Sequence, residues 1–204
     1  MAMNPPALHL VMHGVAIKKH GDTAQIAAVS GMPAALAEVE LARAIANGRI
    51  AEVGGKYLLT PAGQMILMGE YSRFYADLRR DQGFGAAYAR FELINRDLKQ
   101  LVTDWQTLEV GGQRIANDHT NRAHDARIID RLGALHERFE PVLKSLTAAV
   151  PRMQHYERGL VHALERAEAG DGTWVSEVKI DSYHTLWFEL HEELLRLIGR
   201  QREE

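Results

Sequence analysis

Three groups of residues in this chain carry side chains suited to chemistry. Asn117, Asp118 and His119 are followed closely by His124 and Asp125, so carboxylates alternate with imidazoles over a short polar stretch. Pairs of that kind can move a proton, because imidazole titrates near neutrality and a neighbouring carboxylate can fix its tautomer. Towards the C-terminus, Asp181, Tyr183, His184, Trp187 and His191 recur at spacings of three, four and seven. On a helix these spacings place side chains on one face, and rings with N–H or O–H groups need partners there when buried. His9 and His13 are the third group, four residues apart.

Each group also has a plainer reading. Asn and Asp in the 117–125 stretch serve equally as turn and cap residues. The C-terminal histidines fit the rim of a helix bundle, satisfied by neighbouring carboxylates, and His9 and His13 fit a solvated helix face with no third ligand close in sequence. His184 and His191 lie two turns apart, about 10 Å along a helix axis, so they cannot share one ion unaided. No metal is expected in this chain. The sharper reading folds the 109–122 loop over the opening turn of the last helix. Trp105, Asn117, Asp118, His119, Asp125, Asp181, Tyr183, His184, Trp187 and His191 would then gather in one cleft for a small polar or aromatic ligand or a partner.

Periodicity supplies the elements that would position them. Phe91, Ile94, Leu98, Leu101 and Trp105 form one apolar seam, and Ile128, Leu132, Leu135, Phe139, Val142 and Leu146 a second, each long enough for a bundle core. Pro141 should kink or break the second helix. A further helix is expected over residues 153–168, ended by Gly170, Asp171 and Gly172. Gly83, Phe84 and Gly85 are expected to separate a connecting helix from the first seam.

Residues 7–64 read differently. Asp22 and Gln25 form a capping box, Pro33 suits the first turn of a third helix, and Gly54 and Gly55 join two short strands before Thr60 and Pro61 open another helix. Helix, turn, helix, hairpin is the winged-helix order, and the segment GRIAEVGGKYLLTPAG resembles the wing of bacterial winged-helix proteins. The fold expected is therefore mainly α, with a winged helix-turn-helix over residues 1–64 and an α-helical bundle over residues 65–204. Glu38 and Glu40 on the third helix, with Arg43 alone and a single Lys56 at the wing, disfavour DNA binding, which needs basic groups for phosphates.

Net charge is −3, with 24 Lys and Arg against 27 Asp and Glu, so there is no broad positive field for a polyanion. The chain has no cysteine, which excludes disulfides and thiolate chemistry. No leader pattern or membrane-length apolar run is visible, and a cytoplasmic protein is expected. Ile66, Leu67, Tyr71, Phe74 and Tyr75 are apolar enough to suggest a surface that pairs with a second copy or a partner. No Walker loop, His-Glu-x-x-His, Gly-x-Ser-x-Gly or dinucleotide fingerprint occurs.

The segments LVTDWQ, NDHTNRAHDARIIDRLGALH, VPRMQHYERGLVHALERAEAGDGTW and IDSYHTLWFELHEELL look like those of a bacterial family associated with pyruvate phosphate dikinase and phosphoenolpyruvate synthase-like enzymes. The resemblance covers most of the chain and implies a small accessory or regulatory subunit of a dikinase-type phosphotransferase acting on phenolic compounds such as hydroxyacetophenones. The chain has no ATP-grasp site and no swivelling phosphohistidine motif, so ATP and Mg would belong to a large partner subunit. Two other readings stand beside it: a ligand-responsive winged-helix transcriptional regulator, and a stand-alone metal-binding protein or enzyme.

Overall fold

The computed structural model describes residues 5–200 and is mainly helical, with two small antiparallel hairpins. The chain forms two compact units. The first comprises Met1–Gln82, Val150–His155 and Glu189–Glu204, and the second Gly83–Ala149 and Tyr156–Phe188. The sequence boundary after Gln64 falls inside a helix of the first unit. No helix among the described residues is long and apolar enough to cross a membrane.

The first unit opens with α1 (Ala7–Lys18), α2 (Thr23–Ser30) and α3 (Ala34–Ala46), then the hairpin β1 (Ile50–Val53) and β2 (Lys56–Leu59), then α4 (Pro61–Phe74) and α5 (Ala76–Arg80). The expected capping box holds: Gln25 N–H donates to Asp22 and Asp22 N–H to the Gln25 side chain. Thr60 caps α4 through the Gly63 N–H, and a Cβ at Gly63 would sit 2.0 Å from the Arg49 carbonyl oxygen, so only glycine lets α4 start against β1. Tyr57 N–H donates to the Gly21 carbonyl, tying the hairpin to the loop after α1.

A buried charged cluster completes this unit. His13 is fully buried, takes a hydrogen bond from Tyr71 on Nδ1 and turns Nε2 to Glu193 at 3.3 Å. The Glu193 carboxylate, also fully buried, pairs with Arg152 at 2.8 Å. Beside them His9 bonds Glu70 at 2.9 Å. His9 and His13 are therefore core residues and not a solvated face: the carboxylates that meet their ring nitrogens come from Glu70 and Glu193, remote in sequence. Leu67, Tyr71 and Tyr75, expected at a pairing surface, are buried in the same core, and of that set Ile66 remains exposed. Arg79 caps the last carbonyls of the C-terminal helix, donating to Leu197 O at 2.7 Å.

The second unit holds α6 (Gln82–Gln106), the hairpin β3 (Thr107–Val110) and β4 (Gln113–Ala116), α7 (Arg122–Ala149), most of α8 (Gln154–Glu168), the short α9 (Thr173–Ser176) and the first turns of α10 (Tyr183–Ile198). Both expected seams are buried. Gly83 and Gly85 do not separate helices; they lie in the first turn of α6, where glycine is tolerated because the seam behind it packs, and the break falls at Asp81 instead. Pro141 lies inside an unbroken α7, whose buried Phe139, Val142 and Leu143 on either side hold the helix together through packing. The 109–122 loop is largely a hairpin.

Phe91, Phe139, Tyr183 and Trp187 make an aromatic core, with Phe91 and Trp187 stacked at 5.0 Å and Phe139 tilted by 54° against Trp187 at 4.4 Å. Trp187 Nε1–H donates to Asn95 at 3.0 Å, and the Tyr183 hydroxyl bonds His136 at 3.1 Å. Both polar atoms are thus satisfied within the core, and desolvation raises the Tyr183 hydroxyl well above its usual range.

The first unit should be acid-sensitive. Burial lowers the His9 imidazole from 6.5 to about 4 and holds His13 below its ordinary value despite Glu193. The unfolded chain therefore takes up protons that the folded chain refuses between pH 6.5 and about 4, and stability is full above that window and falls as pH drops through it. His9 alone should account for roughly 3 kcal/mol. Urea unfolding at pH 7, 5.5 and 4.5 should show the decline, and His9→Gln should flatten it.

Candidate functional site

The second hairpin places the candidate residues. Its Gly111 and Gly112 turn has φ of 59° and 78°, which glycine supplies without strain, and pairs Leu108 with Ile115. The returning strand brings Asn117 to the end of α6, where its N–H donates to Gln106 O at 2.8 Å and its side-chain amide to Trp105 O at 2.9 Å. The second amide hydrogen goes to Asp125 Oδ1, also at 2.9 Å. Asn117 Oδ1 in turn accepts the His119 N–H at 3.0 Å, holding His119 at φ 58°, a left-handed conformation rare for a residue with a Cβ.

These bonds fix the imidazole. With both amide hydrogens of Asn117 committed, His119 Nδ1 is the donor to Asp125 Oδ2, 3.0 Å away. Nε2 is then the ring nitrogen with a lone pair to offer. The Trp105 ring supports the imidazole at 4.5 Å, tilted by 36°, and the His119 side chain is 43% exposed. Asp125 lies in the first turn of α7, whose N–H groups favour its charge. Asp118 takes a separate role: Thr120 donates to it from backbone and hydroxyl, which lowers its carboxyl below the usual range and makes it a turn residue.

His119 and Asp125 face a cavity of about 970 Å³. Trp105, Arg122, Ile129, Asp130, Ala167 and Glu168 form further wall, and the segment from Gly170 to Val178 closes it. Gly172 matters here, since a Cβ would come within 3.0 Å of the Trp105 ring. Asp171 anchors that segment by accepting from Thr173, Arg166 and the Trp174 indole. The lining carboxylates Asp125, Asp130, Glu168 and Glu177 outnumber Arg122, so the wall suits a neutral or cationic ligand and disfavours phosphates.

Of the residues singled out from sequence, Trp105, Asn117, His119 and Asp125 come together at this wall. Tyr183 and Trp187 do not; they fill the aromatic core. Asp181 is exposed ahead of α10, His184 is half-buried in its first turn, and neither is among the cavity's lining residues. His191 is buried in the first unit. Sequence reasoning missed Arg122, Asp130, Glu168, Glu177 and the hairpin itself. The signal for the hairpin was present, because Glu109, Val110, Gly111 and Gly112 repeat the Glu52, Val53, Gly54, Gly55 of the first turn. Among the described residues no three His, Asp or Glu are grouped to hold a metal ion.

Asn117→Ala should disorganise this wall more than its size suggests, because one side chain serves Trp105 O, Asp125 and the His119 backbone. We expect a loss of about 1–3 kcal/mol in unfolding free energy and, by NMR, a His119 ring with an altered tautomer balance. Unchanged imidazole nitrogen shifts would show that Asn117 does not set the ring. No family model, curated protein or solved structure matches the chain, so the functional reading rests on this geometry and on the residues themselves.

Proposed function

We propose that the chain is a cytoplasmic accessory subunit of a dikinase-type phosphotransferase, and that the cavity of its second unit holds a small phenolic substrate such as a hydroxyacetophenone. The observation that supports this most is the oriented His119, with Asp125 on Nδ1 and both residues in the cavity wall. A phenol O–H can donate to Nε2. As the phenol oxygen bonds to phosphorus, its proton passes to Nε2 and Asp125 stabilises the imidazolium formed, while the bond from phosphorus to its carrier on the large subunit breaks and its electron pair stays on that carrier. The phosphoryl group, ATP and Mg come from the large partner subunit. The excess of carboxylates on the wall fits a neutral phenol as the molecule held there, and the charge of the transferred phosphoryl group would be met by Mg on the partner subunit.

In this reading α1, α2, α3 and the β1–β2 hairpin form a winged helix used for protein contact, because α3 offers Glu38 and Glu40 where DNA would need basic groups. The pathway served is one of aromatic catabolism.

Calorimetry with 4-hydroxyacetophenone should give saturable binding, and His119→Ala should weaken it by about tenfold through the lost hydrogen bond. Phosphoryl transfer reconstituted with the dikinase subunit should fall about 10²- to 10⁴-fold in the same variant. Tyr183→Phe, which alters the core and not the cavity, should leave binding unchanged. Absence of binding by any simple phenol at millimolar concentration would sink the proposal.

A further inference from the structure

The outer face of α3 is exposed and has no partner among the described residues. Ala37, Glu40, Leu41 and Ala44 point into the first unit, whereas Ala35, Leu36, Glu38, Val39, Ala42, Arg43, Ile45 and Ala46 are exposed. Val39 is 62% exposed and Leu36 42%, large apolar side chains that a solvated helix face ordinarily lacks.

The exposed positions fall into a heptad. With Val39 and Ala46 at a and Ala35 and Ala42 at d, Leu36 and Arg43 occupy e, and Glu38 and Ile45 occupy g. In a parallel pair of helices a g residue faces the e residue five positions later on the other helix. Glu38 thus meets Arg43 of the second copy, and the symmetry makes this contact twice. An antiparallel pair brings like flanks together, g against g and e against e, and loses this Glu38–Arg43 contact. Within one chain Arg43 reaches Glu40 only at 3.6 Å and keeps its side chain 62% exposed, so it is available. Alanine at d lets the helices approach closely, and a β-branched residue at a favours two strands.

We infer that this face is a parallel, two-fold pairing surface for a second copy of the chain, with Val39 and Ala42 at its centre and Glu38 bonding Arg43 across it. The inference is independent of the proposed function. Two heptads are short, so pairing belongs to the range of ~10–500 µM and not to nanomolar affinity.

Sedimentation equilibrium of the full chain over that range should show reversible dimers. Val39→Glu, at an exposed site that leaves the fold and its melting temperature intact, should give monomers. Arg43→Glu should weaken dimerisation at least several-fold, and the exchange Glu38→Arg with Arg43→Glu should recover much of it. The natural chain has no cysteine, so cross-linking reads the geometry directly. Ala42→Cys should form a covalent dimer on mild oxidation, because a parallel pair sets position 42 opposite itself. A natural chain that stays monomeric to 500 µM, or a dimer that survives Val39→Glu, overturns the inference. So does failure of Ala42→Cys to cross-link while the double variant Ala35→Cys, Ala46→Cys does, the result an antiparallel pair would give.

Discussion

The first unit depends on one carboxylate removed from water. Glu193 has no solvent to stabilise its charge, and an ion in that position is tolerable only if opposite charge and hydrogen bonds replace what water supplied. Arg152 and His13 do so. Glu193 and these two partners come from three places in the chain: the second half of α10, the turn after α7, and the first helix. The hydrophobic faces of α1 and α4 would pack with many neighbours, but the ionic cluster accepts only this register of segments. Because α10 is one continuous helix that also supplies Tyr183 and Trp187 to the second unit's core, a helix essential to both units is held at its far end by that pair.

In the second unit the comparable constraint is polar and sits at the surface. The β3–β4 hairpin has little core of its own, with every residue of β4 exposed. Its effect is positional. It returns the chain to the end of α6, where Asn117 finds the last carbonyls of that helix, and from there a single turn delivers His119 over Trp105 and Asp125 into the first turn of α7. A candidate side chain on a loop is thereby referred to two long, well-packed helices, which is what a precisely placed imidazole requires.

Elements whose cause is local were readable from sequence. The capping box at Asp22, the first hairpin, Thr60 with Pro61 and both apolar seams depend on residues within a few positions of one another. Features decided at long range were not. Nothing near His9 or His13 reveals that Glu70 and Glu193 will cover them, so their burial could not be inferred from a four-residue spacing. The stripe His184, Trp187 and His191, with Tyr183 at its start, was legible as a helix face but not as core, since the partners that satisfy Tyr183 and Trp187, His136 and Asn95, stand on other helices. Pro141 and Gly83 mislead for the related reason that packing on both sides overrides a local preference. The candidate site was half legible: its polar turn announced itself, while the acidic wall from α7, α8 and the 170–178 segment did not.

The left-handed backbone of His119 carries a consequence for how this chain would respond to selection. A side chain with a Cβ held at φ 58° stores about 1 kcal/mol or more that glycine at the same position would release and asparagine would offset in part. Libraries sorted only for heat resistance should therefore drift towards those residues and lose the imidazole. Retention of histidine in variants sorted for phenol binding, against that drift, would separate what the position does for folding from what is proposed for it at the cavity.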